Sequence, residues 1–239
     1  MLTGPSQLID EKSPPDGSEL IGQHPLRVLI AVASEVVRSG LRTMLSRLPG
    51  VGHVQGPPDA RAALVAMESH DFDVIVLSPP LDSADFEALV EGAGRSHAKT
   101  LVMLRDYDAV DTTIVAQAVA MPADGYILES GLTTRTLGDT LLRLNEGQAP
   151  MPTTLARGLL KMRTPDPKPP GRPLLLTARE MQVLSLLVEG LSNKQIANRL
   201  GVSEHGTKRH VAGVLAKLNC PNRTGAVALV LRHGLVNLR

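Results

Sequence analysis

Between residues 26 and 148, five short apolar runs alternate with segments of helical period. The runs cover residues 27–32, 51–54, 73–77, 100–104 and 125–128. They are β-branched and apolar at consecutive positions, the pattern of parallel strands buried on both faces. The segments 35–48, 59–69, 83–95, 109–120 and 132–146 carry apolar residues at i, i+3, i+4 spacing, as in Leu41, Met44, Leu45 and Leu48. Strand and helix in strict alternation predict the α/β class. The expected architecture is a flavodoxin-like, doubly wound five-stranded parallel sheet with right-handed crossovers. Residues 153–163 read as one further helix.

The pattern changes after residue 174, where only helical periods remain. Thr177 with Glu180, and Ser192 with Gln195, have capping-box spacing. Gly190 and Gly201 suit left-handed helix ends, and Ser203 can cap a third helix reaching about Leu218. Pro221 breaks the chain before a fourth helix from Arg223 to His233. A small all-α, four-helix domain is predicted. Residues 1–25 hold prolines and glycine without apolar period and read as a disordered tail. Five prolines within residues 164–173 read as a stiff linker. The expected division is therefore a tail at 1–25, an α/β domain at 26–148, a linker with a short helix at 149–173, and a helical domain at 174–239.

Charge separates the same two parts. The net charge of the 239-residue chain is +1, yet residues 174–239 hold nine basic and three acidic groups. Residues 1–163 hold 14 basic and 20 acidic groups. A basic module beside an acidic one suggests that the C-terminal part alone meets a polyanion. Aromatic residues are only 2% of the chain, which argues against stacking platforms for single strands. A single cysteine excludes internal disulfides and cysteine-based zinc sites, and the seven histidines show no paired ligand spacing. No metal or cofactor is expected. No apolar run approaches a membrane span of roughly 20 residues, and no signal-peptide pattern opens the chain. A cytoplasmic protein without membrane contact is expected.

The segment 191–211 carries the most specific pattern. A short helix with inward Ile196, Ala197 and Leu200 meets the turn Gly201-Val202-Ser203. A second helix follows, with inner residues Thr207, Val211, Val214, Leu215 and Leu218. A helix, a tight turn and a helix place the second helix in a DNA major groove. Its outer face presents Glu204, His205, Lys208, Arg209 and Ala212. Lys208 and Arg209 can donate to guanine acceptors or to phosphate. Asn193 and Lys194, at the start of the preceding helix, suit a phosphate. Lys217 and Arg223 complete the candidate DNA-binding set. The competing reading is a structural helix pair with a solvated basic face. The caps, the turn glycine and the local charge together favour DNA binding.

The stretches 176–184, 190–197 and 208–211, with 217–224, resemble the LuxR-type helix-turn-helix domain over about 65 residues. The preceding α/β part is similar to a receiver domain. Together they resemble a response regulator of the NarL/FixJ type. That resemblance implies a promoter-binding homodimer, with a heterodimer with a related regulator as the alternative. It assigns the DNA-bound dimer contact to the last helix, where Ala226, Val227, Val230 and Leu231 are available. The chain departs from the family pattern at Gly206 and Thr207, where Thr and Val are usual. With Gly213, this suggests a less rigid recognition helix.

A receiver of this family needs an acidic pair after the first strand and a phosphorylatable Asp at the end of the third. It also needs a hydroxyl after the fourth strand and a lysine after the fifth. Here those positions hold Val32 and Ala33, Ser78, Arg105 and Glu129. A divalent cation needs hard oxygen ligands that Val32 and Ala33 lack, and Ser78 cannot form an acyl phosphate. The expected domain is a pseudo-receiver not switched by aspartyl phosphorylation, serving dimerisation or the sensing of a ligand or partner. Arg105 and Glu129, at the ends of neighbouring strands, are expected to pair. The rival readings are a flavodoxin-like enzyme with a DNA-binding tail and a protein-interaction adaptor. The enzyme lacks a phosphate loop, a cysteine nucleophile and an evident Ser–His–Asp set.

Overall fold

The computed structural model describes residues 24–78, 83–105, 123–161, 176–220 and 222–233. Nearly all of the expected tail, the helix expected at 109–120, Pro79, Pro80 and the proline-rich stretch 164–173 lie outside the described residues. The strands are β1 Leu26–Val32, β2 Val51–Gln55, β3 Val74–Ser78, β4 Lys99–Leu104 and β5 Gly125–Leu128. They form one five-stranded sheet in the order β2-β1-β3-β4-β5, with every pair parallel. The helices are α1 Glu35–Leu45, α2 Ala60–Ser69, α3 Ser83–Ser96, α4 Thr134–Asn145 and α5 Thr153–Lys161. The C-terminal helices are α6 Ala178–Val188, α7 Asn193–Leu200, α8 Glu204–Leu218 and α9 Arg223–His233.

Burial follows from strand position. β3, with a strand on each side, is buried at all five residues. β2 lies at the sheet edge, and its Gly52 and His53 are exposed. The expected burial of every strand on both faces therefore fails at β2, whereas β5, at the other edge, is buried at three of its four residues.

Each sheet face has its own core. On one face Val28, Ile30, Val76, Leu101 and Met103 pack with Leu41 and Leu45 of α1 and Leu137, Leu141 and Leu144 of α4. On the other, Leu29, Ile75, Leu77, Val102 and Tyr126 pack with Ala63 of α2 and Leu89 of α3. That second core also takes in Leu155 of α5 and Val227, Ala228 and Leu231 of α9. The last helix of the C-terminal part thus completes a core of the sheet domain. The remaining helices share a third core of Val183, Leu184, Leu187, Ile196, Val211 and Val214, joined by Ala226 and Val230.

The local signals do what their chemistry dictates. Ser34, Asp59 and Thr133 cap α1, α2 and α4 through their side-chain oxygens. Thr177 and Ser192 both form reciprocal capping boxes, with Glu180 and Gln195. Gly201 ends α7 at φ 65°, a left-handed conformation that glycine adopts without steric cost.

Candidate nucleic-acid interface

Helices α7 and α8 are joined by Gly201, Val202 and Ser203. Arg179 Nη2 of α6 donates to the Leu200 carbonyl at 2.8 Å and braces the end of α7. Ser203 Oγ accepts from the Gly206 amide at 3.0 Å and caps α8. Thr207 is fully buried and its hydroxyl donates to the Ser203 carbonyl at 3.2 Å. Thr207 therefore adds a bond at the helix start, and α8 is continuous from Glu204 to Leu218 across Gly206 and Gly213. Glu204, His205, Lys208, Arg209 and Ala212 are all exposed. His205, Lys208, Arg209 and Ala212 project away from buried Val211, Val214 and Leu218, while Glu204, seven residues before Val211, stands at the first turn of α8. Lys208 Nζ lies 3.3 Å from a Glu204 carboxylate oxygen one turn away, and both side chains are at least half exposed. Such a pair is weak, so it leaves Lys208 available to a stronger anion.

The other candidate contacts divide. Lys194 is exposed on the first turn of α7. Asn193 beside it is half-buried, its Nδ2 faces Gly147 of the sheet domain, and its Oδ1 is buried without a hydrogen-bond partner. Lys217 Nζ donates to Glu180 Oε2 at 2.7 Å, closing α8 onto the capping box of α6. The Lys217 hydrogen bond, followed by the Thr177 amide, holds the Glu180 carboxyl at about 2, well below the usual carboxylate range. Because the folded value is depressed, the contribution of this clasp is complete above about pH 4.5 and is lost as pH falls towards 2. Thermal melts of the wild type and Lys217→Met are therefore expected to differ at neutral pH and to converge at pH 2. A pH-independent difference would show that the lysine acts by packing alone.

Arg223 corrects an expectation. It is 8% exposed rather than facing a phosphate. Its Nη1 donates to the Gly147 carbonyl at 2.8 Å, and its Nη2 donates to Leu187 O at 3.3 Å and to Leu191 O. Burial pushes its pKa down to about 10. Thr224 Oγ1 donates to the Asp124 carbonyl at 2.5 Å. The four residues expected to supply the dimer contact are covered as well. Ala226 and Val230 face the helical core, while Val227 and Leu231 face the sheet domain. In this arrangement the outer face of α8 is open and the last helix is buried from two sides.

At the C-terminal ends of the strands, register places Val32 beside Ser78. Ligands bind at this end of open α/β sheets. Val32 and Ser78 are buried and Ala33 is exposed. Their side chains supply no carboxylate, and the carbonyls of Val32 and Ala33 accept from Arg38 Nη1 at 2.8 and 3.3 Å. The same nitrogen reaches the Pro58 carbonyl at 3.3 Å. These residues do not fit a divalent cation. Among the described residues, no three His, Cys, Asp or Glu side chains gather as a metal site. Arg38 is a feature the sequence reading missed, because its partners are backbone carbonyls that leave no mark in a sequence.

Arg105 and Glu129 do meet. Arg105 Nε lies 3.4 Å from Glu129 Oε2, with side chains 39% and 35% exposed. The Glu129 amide donates to the Leu104 carbonyl at 2.9 Å and fixes the approach. A half-exposed pair of this kind contributes on the order of 0–1 kcal/mol. Arg105→Glu and Glu129→Arg are each expected to lower the melting temperature slightly, and the double exchange to restore it. Additive losses would mean the two charges act independently.

Residues 174–230 match the family model of bacterial regulatory proteins, luxR family. The chain is 27% identical over 212 residues to the response regulator protein VraR of Staphylococcus epidermidis, covering 88% of this chain and 99% of the relative. It is 25% identical over 238 residues to the transcriptional regulatory protein DegU of Brevibacillus brevis, covering 93% of this chain and all of the relative. A solved structure of two RcsB dimers bound to two parallel DNAs has the same fold, with a TM-score of 0.50 at 20% identity over 85% of this chain and 96% of that one. No helix among the described residues is long and apolar enough to cross a membrane. The helical part of this protein thus carries a luxR-family regulatory domain, and the chain along most of its length is similar to bacterial response regulators.

Proposed function

We propose that this protein is a sequence-specific, double-stranded DNA-binding transcription regulator, not an enzyme, whose receiver-like domain works without aspartyl phosphorylation. The observation that carries the first half is the exposed face of α8. Lys208 and Arg209 stand free of the core on a helix held by a capped turn, the geometry that reads base edges in a major groove. Exposed Lys194 on α7 serves as a phosphate contact that sets register. His205 and Ala212 lie on the same face, and exposed Glu204 stands one turn before Lys208. The luxR-family match and the DNA-bound RcsB neighbour support the same reading.

The second half rests on the sheet end. Val32, Ala33 and Ser78 stand where a phosphorylatable receiver needs carboxylates, and the Arg105–Glu129 pair stands where it needs a hydroxyl and a lysine. The receiver-like domain then serves association of two copies, or the sensing of a ligand or partner, in the cytoplasm. The regulator works as a homodimer, and α9 makes its DNA-bound contact only after Val227 and Leu231 leave the sheet domain.

The test is a titration of fluorescent duplexes from the chain's own upstream region at several salt concentrations. Saturable binding, with affinity falling linearly in log salt and surviving competitor DNA, is expected. Binding that competitor abolishes equally on every sequence would overturn the sequence-specific reading.

A further inference from the structure

The outer face of α8 holds two neighbouring cations that its geometry treats differently. Lys208 directly follows buried Thr207 and is turned only about 60° from buried Val211. It leaves the helix at the flank, where its Nζ lies 3.3 Å from Glu204 Oε1. Arg209 stands two residues from Thr207 and two from Val211, so it is turned about 160° from each and points away from the core. It is exposed and has no hydrogen-bond or ion-pair partner among the described residues. Its neighbours on the helix surface are the residues three and four positions away, which are His205, Gly206, Ala212 and Gly213. Of these only His205 has a side chain that extends past Cβ. The guanidinium therefore stands alone on a low surface, and a duplex can come close to the backbone around it.

The chemistry of the two side chains at the centre of this surface sorts the bases. A guanidinium presents parallel N–H donors, and guanine alone offers two acceptors, O6 and N7, side by side in the major groove. Adenine sets a donor beside its acceptor, and neither pyrimidine has two acceptors there. Ala212 lies three residues on from Arg209, about 4.5 Å further along the axis. That advance is close to the roughly 3.4 Å between successive base pairs. The Ala212 methyl neither donates nor accepts, and the apolar group that a base pair offers in the groove is the 5-methyl of thymine. His205 can both donate and accept, so it fixes no base by itself.

We propose that Arg209 reads a guanine in the half-site of the operator, and that a thymine at the adjacent base pair packs its methyl on Ala212. The assignment rests on the DNA-binding reading above and narrows it to a class of duplex, one whose half-site sets a G·C pair beside a T·A pair.

The experiment selects duplexes with a randomised core on the full-length protein, sequences those retained, and measures their affinity by fluorescence anisotropy. The enriched half-site is expected to hold the two pairs side by side. Replacing its guanine by 7-deazaguanine, which lacks the N7 acceptor, is expected to weaken wild-type binding about tenfold. Arg209→Ala is expected to bind both duplexes equally. Replacing the thymine by deoxyuridine removes one methyl and is expected to weaken wild-type binding about fourfold. Ala212→Gly is expected not to distinguish those two duplexes. Each comparison is a ratio within one variant, so a change in folding stability cancels, and melting curves verify that each variant is folded. An enriched site without the adjacent pairs, or a base replacement that wild type and variant feel alike, would overturn the proposal and leave the DNA-binding reading standing. No enrichment of any duplex would overturn both.

Discussion

Arg223→Met is expected to destabilise the full chain by about 2–4 kcal/mol. The guanidinium donates to Gly147 of the sheet domain and to Leu187 and Leu191 of the helical part, and it is buried. Removing it takes that donor from the Gly147 and Leu191 carbonyls, while Leu187 O keeps the Gly190 amide at 3.0 Å, and a buried acceptor stripped of its donor costs its full desolvation. Burying the charge in the first place is expensive, as its lowered pKa reflects. That expense offsets part of the loss and keeps the figure below the sum of three charged hydrogen bonds. For a chain of this size the shift corresponds to a melting temperature lower by on the order of 10 °C. Arg223→Lys is expected to recover only part, because an ammonium cannot span three acceptors held by a planar fork. Small-angle scattering of Arg223→Met is expected to show a more extended particle, since the Thr224–Asp124 bond and the packing of Val227, Ala228 and Leu231 are then left to hold α9 on the sheet domain. Unchanged melting and scattering would mean that α9 docks by its apolar face alone.

The second large effect concerns α8. Arg209→Ala or Lys208→Ala is expected to weaken specific duplex binding by about 1–3 kcal/mol, or roughly five- to 150-fold, where the side chain reads a base. Lys208 gives up its 3.3 Å pairing with Glu204 on binding, a small cost for an exposed i,i+4 pair. Lys194→Ala is expected to weaken all duplexes alike and to reduce the salt slope by about one. Anisotropy titrations on specific and scrambled duplexes separate the two behaviours. Equal affinity of both α8 variants and the wild type for a specific site would displace α8 from the groove.

The sheet was legible because consecutive β-branched residues have no role except burial on both faces. β3 obeys that rule throughout, and β2, whose Gly52 and His53 are exposed, breaks it. The turn between α7 and α8 was legible from Ser192, Gln195, Gly201 and Ser203, whose backbone and capping chemistry is local. The meeting of Arg105 with Glu129 followed from strand adjacency. The clamps of Arg38 and Arg223 were not legible, since carbonyl acceptors look alike at every residue. Nor was the double burial of α9 recognised. Its apolar residues run round the helix, with Ala226 and Val230 on one side and Val227, Ala228 and Leu231 on the other. That all-round pattern marks a helix covered twice, whereas the family resemblance implies only a dimer contact there.

Whether this DNA-binding regulator takes a phosphoryl group is decided by one paired measurement. The full chain is incubated with acetyl phosphate and Mg²⁺, its intact mass is recorded, and the same sample is titrated with a duplex it binds specifically. No added phosphoryl group and the same dissociation constant as the untreated protein are expected. A phosphoryl adduct retained in Ser78→Ala, accompanied by a changed affinity, would contradict that expectation.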